Sequence, residues 1–193
     1  MTPRILLAAI FGAIAMFIWM FVAHTFLPLG EAGISELPNE SAVVAAMQSN
    51  LKNDGMYLFP GTGLPPDASR AEKQAAMQKM EARYETQPSG LLIYHSPRGF
   101  NFPKHLAVEF VTELIEALLA VFLLAQTRIG SFGGRVAFVT GLGVLAAIGT
   151  NVPYWNWYRY PSTYTAAYMF TQLVGFICLG IVVALVLKKR QFA

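Results

Sequence analysis

Three acids stand where acids are costly. The 193-residue chain holds eleven Asp and Glu. Eight fall between residues 28 and 103, and the remaining three, Glu109, Glu113 and Glu116, lie inside the otherwise apolar stretch 104–126. A carboxylate at bilayer depth costs about 2.5–3.5 kcal/mol on insertion scales, so such residues face protein or water rather than lipid. At about 100° per residue, His105, Glu109, Thr112, Glu113 and Glu116 share an arc of roughly 100°. At about 1.5 Å per residue the stripe descends roughly 16 Å from its outer end. The same offsets recur in residues 164–187, where Tyr164, Tyr168, Thr171 and Gln172 form a second polar stripe. The two stripes are expected to meet as an intramembrane polar seam, with Tyr168 or Gln172 donating to Glu109 or Glu113. Such a seam serves either as structural polar packing or as a relay for protons or cations.

A second group of residues collects at the outer ends of these stretches. His24, His105 and Glu109 are the types of a two-histidine, one-carboxylate metal site, although no tight ligand spacing such as HExxH supports it. Between Asn151 and Pro161 five aromatics fall within seven residues, Tyr154, Trp155, Trp157, Tyr158 and Tyr160. That density reads as an interfacial aromatic belt. With Arg159 it also suits the grip of a lipid phosphate or an anionic headgroup. His24, Asn151, Tyr154, Trp155, Trp157 and Arg159 are therefore the outer-mouth candidates for a ligand or lipid. No cofactor is required by these residues, and a transition metal or a quinone are the two for which they leave room.

The elements that must position these groups are membrane helices. Of all residues 55% are apolar and only 13% charged, against about 25% charged in a soluble domain. A bilayer core about 30 Å thick takes roughly 20 helical residues. Four stretches qualify: 5–27, 104–126, 135–152 and 164–187. The first has a short basic lead, Arg4, but its apolar run exceeds the about 7–15 residues of a secretory h-region and ends in a poor cleavage site, so it is expected to be an uncleaved anchor. The expected fold is an all-α integral membrane protein, a four-transmembrane-helix bundle with a small α/β extracytoplasmic subdomain at 28–103. Within that subdomain the residues predict helix, strand, helix and strand at 41–51, 55–60, 69–84 and 90–95. Asn39 or Ser41 is expected to cap the first helix and Asp67 or Ser69 the second.

Orientation follows from basic residues in short loops. With the amino terminus inside, Arg4, Arg128, Arg135 and the 188–193 tail (Lys188, Lys189, Arg190) all lie on the cytoplasmic side without an acid. Both termini are then cytoplasmic and 28–103 periplasmic, in a bacterial inner membrane. Residues 134–152 are rich in small side chains, and Gly143-xxx-Ala147 and Ala146-xxx-Thr150 suit close helix approach, within the bundle or to another subunit.

Four spans with a large first outer loop resemble the layout of claudin-type proteins, without the paired cysteines of that family's first loop. A four-span thiol oxidoreductase would need redox cysteine pairs, and Cys178 stands alone. There is no P-loop, no GxSxG, and no GxGxxG followed by a strand-helix unit, and nothing marks a nucleic-acid-binding chain. The expectation is a non-enzymatic accessory or scaffolding subunit, partnered by the bilayer and by a membrane or periplasmic protein or further copies of itself. The alternatives are a proton- or cation-coupled protein using Glu109, Glu113 and Glu116, or a lipid-, quinone- or metal-binding enzyme with its site at the outer mouth.

Overall fold

A computed structural model describes residues 3–187; the predicted basic tail 188–193 lies outside the described residues. The chain divides into two units, one formed by the chain up to Ser35 together with the chain from Phe100 onward, the other being Glu36–Gly99. The first unit is helical: α1 (Pro3–Thr25), a 3-10 turn (Leu29–Glu31), then α4 (Phe102–Ala125), α5 (Phe132–Tyr158) and α6 (Ser162–Val186). The second holds α2 (Glu40–Asn50), β1 (Gly55–Phe59), α3 (Arg70–Tyr84) and β2 (Gly90–Tyr94).

Among the described residues three helices are long and apolar enough to cross a membrane: α1, α5 and α6. α4 matches them in length at 24 residues. Its three glutamates are what set it apart in composition.

α6 is flanked by α1 and α5, while α4 lies mainly against α1. Small residues make these approaches close. A Cβ at Gly12 of α1 would fall on the side chain of Leu179, and one at Gly143 of α5 on that of Phe176. From α6, a Cβ at Gly180 would press on the backbone and Cβ of the Val136–Val139 turn. Gly143 and Ala147 thus pack internally, whereas a Cβ at Gly141 or Gly149 would meet nothing within 4 Å. The hydrophobic core gathers Ala8, Ala13, Val121, Leu124, Leu179 and Val183 in one half of the unit. There the Arg135 Nε donates to Ile129 O at 3.2 Å, tying the start of α5 to the preceding loop. The opposite half carries the polar side chains.

The helix ends differ from the sequence expectation most at α5. Residues 153–158, beyond the expected end of the span at 152, continue the helix through Pro153 to Tyr158. Proline removes one backbone donor, and neighbouring polar side chains and helices compensate for such breaks in apolar helices. The donor lost at Pro153 is the one that would reach the Gly149 carbonyl, while Asn151 Nδ2 donates to Ala147 O at 3.0 Å and to Gln172 Oε1 at 3.3 Å, tying this turn of α5 to α6. α5 then ends at Arg159 in the left-handed conformation (φ 56°, ψ 38°), whose N–H bonds Tyr154 O.

In the Glu36–Gly99 unit β1 and β2 pair antiparallel, with Gly55 opposite Tyr94 and Phe59 opposite Gly90. Ser69, not Asp67, caps α3, and it forms a capping box with Glu72. Asn39 occupies the cap position of α2 in the left-handed conformation without a side-chain cap bond. No residue of α2 or α3 is buried, and among the described residues of this unit only Pro60 is.

One anchor of the strand pair is ionic. Asp54 Oδ1 accepts the Ser96 N–H at 2.7 Å, and Oδ2 lies 3.5 Å from His95 Nδ1 and 3.6 Å from Arg98 Nη1. The Ser96 hydrogen bond, helped by His95 and Arg98, holds this carboxyl below its ordinary value of 3.8. A carboxyl lowered in the folded state lends stability above its unfolded value and loses it as pH falls through the folded one. Protection of the 90–96 amides, corrected for intrinsic exchange, is therefore expected to hold from pH 7 down and to fall below pH 3.8. In Asp54→Asn that step should vanish, with protection lower throughout; an unchanged acid step in hydrogen-exchange mass spectrometry would remove Asp54 from this role.

Candidate functional site

The polar half of the helical unit encloses a cavity of about 240 Å³. α4 supplies Glu109, Thr112, Glu113 and Glu116 to its wall, and α6 supplies Tyr168, Thr171, Gln172 and Gly175. Between them α1 contributes Met16, Met20 and His24, and α5 contributes Thr150 and Asn151. Leu29 of the 3-10 turn completes the lining. That turn packs on α1 and α6, and Gly33 behind it takes a positive φ of 76° where a side chain would strike the backbone of Tyr164.

Glu113 is the most buried of the three acids. It is 3% exposed, and among the described residues neither Oε1 nor Oε2 has a hydrogen-bond partner. Buried polar groups are almost always paired, and the Glu113 carboxyl is the exception on this cavity wall. Glu116 is half-buried one turn deeper, and Glu109 one turn outward is exposed. Among the described residues no lysine or arginine lines the cavity, and His24 is its one basic side chain. Since Met20 O can only accept, the 2.8 Å contact to His24 Nδ1 places a proton on Nδ1. In the tautomer with its one proton on Nδ1, Nε2 is the ring's acceptor.

The two predicted stripes face one cavity, but the expected bonds between them are replaced by others. Gln172 Oε1 accepts from Asn151 Nδ2 at 3.3 Å, so its partner is α5 rather than α4. Thr112 Oγ1 donates to Val108 O at 2.9 Å within its own helix. Trp19 Nε1 donates to the Thr171 carbonyl at 2.8 Å, linking α1 to α6 where α4 had been expected. Helical periodicity assigns a residue to a face and leaves open which helix that face meets. Here α1 stands between α4 and α6.

His105 lies away from the acidic cavity. It stacks on Phe100 with ring centroids 4.7 Å apart and lines a second, largely apolar cavity of about 570 Å³. His24 and Glu109 line both cavities, yet among the described residues no three His, Cys, Asp or Glu are placed to hold a metal ion. The two-histidine, one-carboxylate site is thus not assembled. Tyr164 stands behind the wall in a run of tyrosine contacts from Tyr158 through Tyr154 and Tyr160 to Tyr164 and Tyr168, with centroids 4.5–5.8 Å apart. Of the outer-mouth candidates, Asn151 joins the acidic cavity; Tyr154, Trp155 and Trp157 are exposed, and the Trp155 Nε1 bonds Ser162 Oγ at 3.0 Å. Exposed Arg159 sits at the turn between α5 and α6.

Of the α1 residues on the cavity wall, sequence reasoning named His24 and missed Met16 and Met20. Their signal was present in Ala8, Gly12 and Ala13, a small-residue face at helical spacing that predicts a packed helix, followed by Met16 and Met20 on the same face. The chain matches no protein-family model, no curated protein and no solved structure.

Proposed function

We propose that the chain is a proton- or cation-coupled membrane protein whose binding site is the acidic cavity around Glu113. The observation that carries this reading is a buried carboxyl with both oxygens unpaired, set among two further carboxylates in a cavity that no lysine or arginine among the described residues lines. In the same reading α4 is the fourth transmembrane helix, because Glu113 is buried and Glu116 half-buried against protein, as intramembrane charges are, with Glu109 exposed nearer the outer end. The bundle of α1, α4, α5 and α6 then lies in a bacterial inner membrane with both termini cytoplasmic and 28–103 periplasmic, as the basic loops require. Four helices are few for a transporter, so the working form is a homo-oligomer.

Proton flux into liposomes under a potassium diffusion potential tests the reading. The groups facing Glu113 are Glu109 and Glu116 on its own helix, His24 from α1 and Tyr168 from α6, while α5 adds only the neutral Thr150 and Asn151. Wild-type flux should exceed that of empty liposomes, and Glu113→Gln should lose at least tenfold with its unfolding temperature retained. Flux no greater than in empty liposomes, with sodium, potassium and methylammonium likewise unbound, overturns the reading.

A second reading is an accessory subunit that acts through the Glu36–Gly99 unit. Support for it is the near absence of buried residues there, together with exposed Met56, Leu58 and Ile93 on one face of the strand pair. A stoichiometric partner protein retained in native mass spectrometry from mild detergent would favour it over the flux reading.

A further inference from the structure

The acidic cavity does not end at its polar wall. It shares Met20, His24, Glu109 and Tyr168 with the apolar cavity between α1 and α4, so the two compartments abut along those four residues. The apolar compartment is walled by Phe17, Phe21, Phe102 and Leu106, and its volume is about 570 Å³ against about 240 Å³ for the acidic one. Small-molecule sites run to roughly 300–1,000 Å³, mostly apolar with a few converging polar groups. A proton or a bare metal ion has no use for the larger compartment.

We propose that the cavity binds a free lipophilic amine, its ammonium group among the carboxylates and its hydrocarbon body between α1 and α4. This rests on the cation-binding reading above and names the class of cation. Three observations fit an ammonium head. Glu113 presents two unpaired acceptor oxygens, and an ammonium is a donor only. His24 offers Nε2 as a further acceptor once its Nδ1 proton is committed to Met20 O. Tyr168, on the boundary between the compartments, gives an aromatic ring beside the path of the charge. A zwitterionic lipid is the poorer occupant, since its phosphate would enter beside the same carboxylates. An anionic lipid is poorer still.

Isothermal titration of the full chain in nanodiscs of phosphatidylglycerol, with empty discs subtracted, tests the proposal with 4-phenylbutylammonium, methylammonium, and 4-phenylbutanol as the neutral control for partitioning. Phenylbutylammonium is expected to bind at least tenfold more tightly than methylammonium, and the alcohol not to bind above the empty-disc level. Glu113→Gln should weaken phenylbutylammonium at least tenfold. Phe21→Ala and Leu106→Ala should each lower the ratio of phenylbutylammonium to methylammonium affinity at least threefold; both residues are largely exposed, at 57% and 41%, so the fold does not depend on them. Equal affinity for the two ammonium ions, with the ratio unmoved in both variants, overturns the amine proposal while cation binding stands. Binding of the alcohol as tight as that of the amine overturns it as well. So does loss of probe binding when ethanolamine lipid is added to the discs, which identifies the occupant as a headgroup. Failure of every cation to bind, together with absent proton flux, removes the underlying reading instead.

Discussion

Replacing Glu113 by leucine is expected to make the protein more stable and to end cation binding. The carboxyl is 3% exposed with neither oxygen hydrogen-bonded. Leaving a buried polar group unpaired costs about 1–3 kcal/mol. Glu109 and Glu116, four and three residues away on the same helix, add like charges at the spacings that destabilise helices. Leucine has nearly the volume of glutamate and brings no group to be satisfied, and apolar replacement of buried ionic groups is often stabilising. A gain of about 2 kcal/mol, at roughly 2–4 °C per kcal/mol for a chain of this size, raises the unfolding midpoint in detergent by about 4–8 °C. Glutamine should fall between the two, because it removes the charge and keeps the unpaired polar atoms. If Glu113 instead serves as structural polar packing, leucine would lower the midpoint, and tryptophan fluorescence on heating separates the outcomes. A residue kept at a cost to stability and needed for binding is the pattern expected of a functional site.

That contrast between fold and function also shows how much the residues disclosed. The helices were legible because a span needs about 20 apolar residues, and α1 and α6 deliver them within two residues of the expected ends. The strand pair was legible from Gly and Pro breaks around Met56–Phe59 and Leu91–Tyr94. α5 was not, since Pro153 and the dense aromatics after it carry the same local signal as a loop, yet the helix runs through them to Tyr158 with residues 153–158 exposed. The acidic face of α4 was legible from angles alone. Its neighbour was not, because periodicity says nothing of which helix lies opposite, and α1 took the place expected of α6. The apolar compartment had no sequence signature: Phe17, Phe21 and Leu106 are ordinary membrane residues until two helices bring them around one space.

Gly143 and Gly141 are expected to respond to the same substitution with opposite signs. They are two residues apart on α5, hence about 200° apart around it. A Cβ at Gly143 would collide with the Cβ and ring of Phe176, and a Cβ of Phe176 cannot swing aside without its backbone. Gly143→Ala must therefore push α5 away from α6, and overpacking of this kind costs about 1–3 kcal/mol. At Gly141 the new methyl meets nothing within 4 Å, so Gly141→Ala contributes only the helix preference of alanine over glycine, up to about 1 kcal/mol in its favour. The midpoint should fall for the first variant and rise slightly for the second. Adding Phe176→Gly to Gly143→Ala removes the Cβ and ring that the methyl would strike, so the pair should cost less than the two single changes together, a coupling that residues not in contact do not show. If the Gly143-xxx-Ala147 pair joined subunits rather than helices of one chain, Gly143→Ala would shift the oligomer distribution in native mass spectrometry and Phe176→Gly would not couple to it. The buried position of Gly143 and Ala147 against α6, beside Phe176 at 4% exposure, argues for the intrachain contact. The contact also bears on the site, because α6 held close to α5 is what sets Gln172 within reach of Asn151 and closes that wall of the acidic cavity.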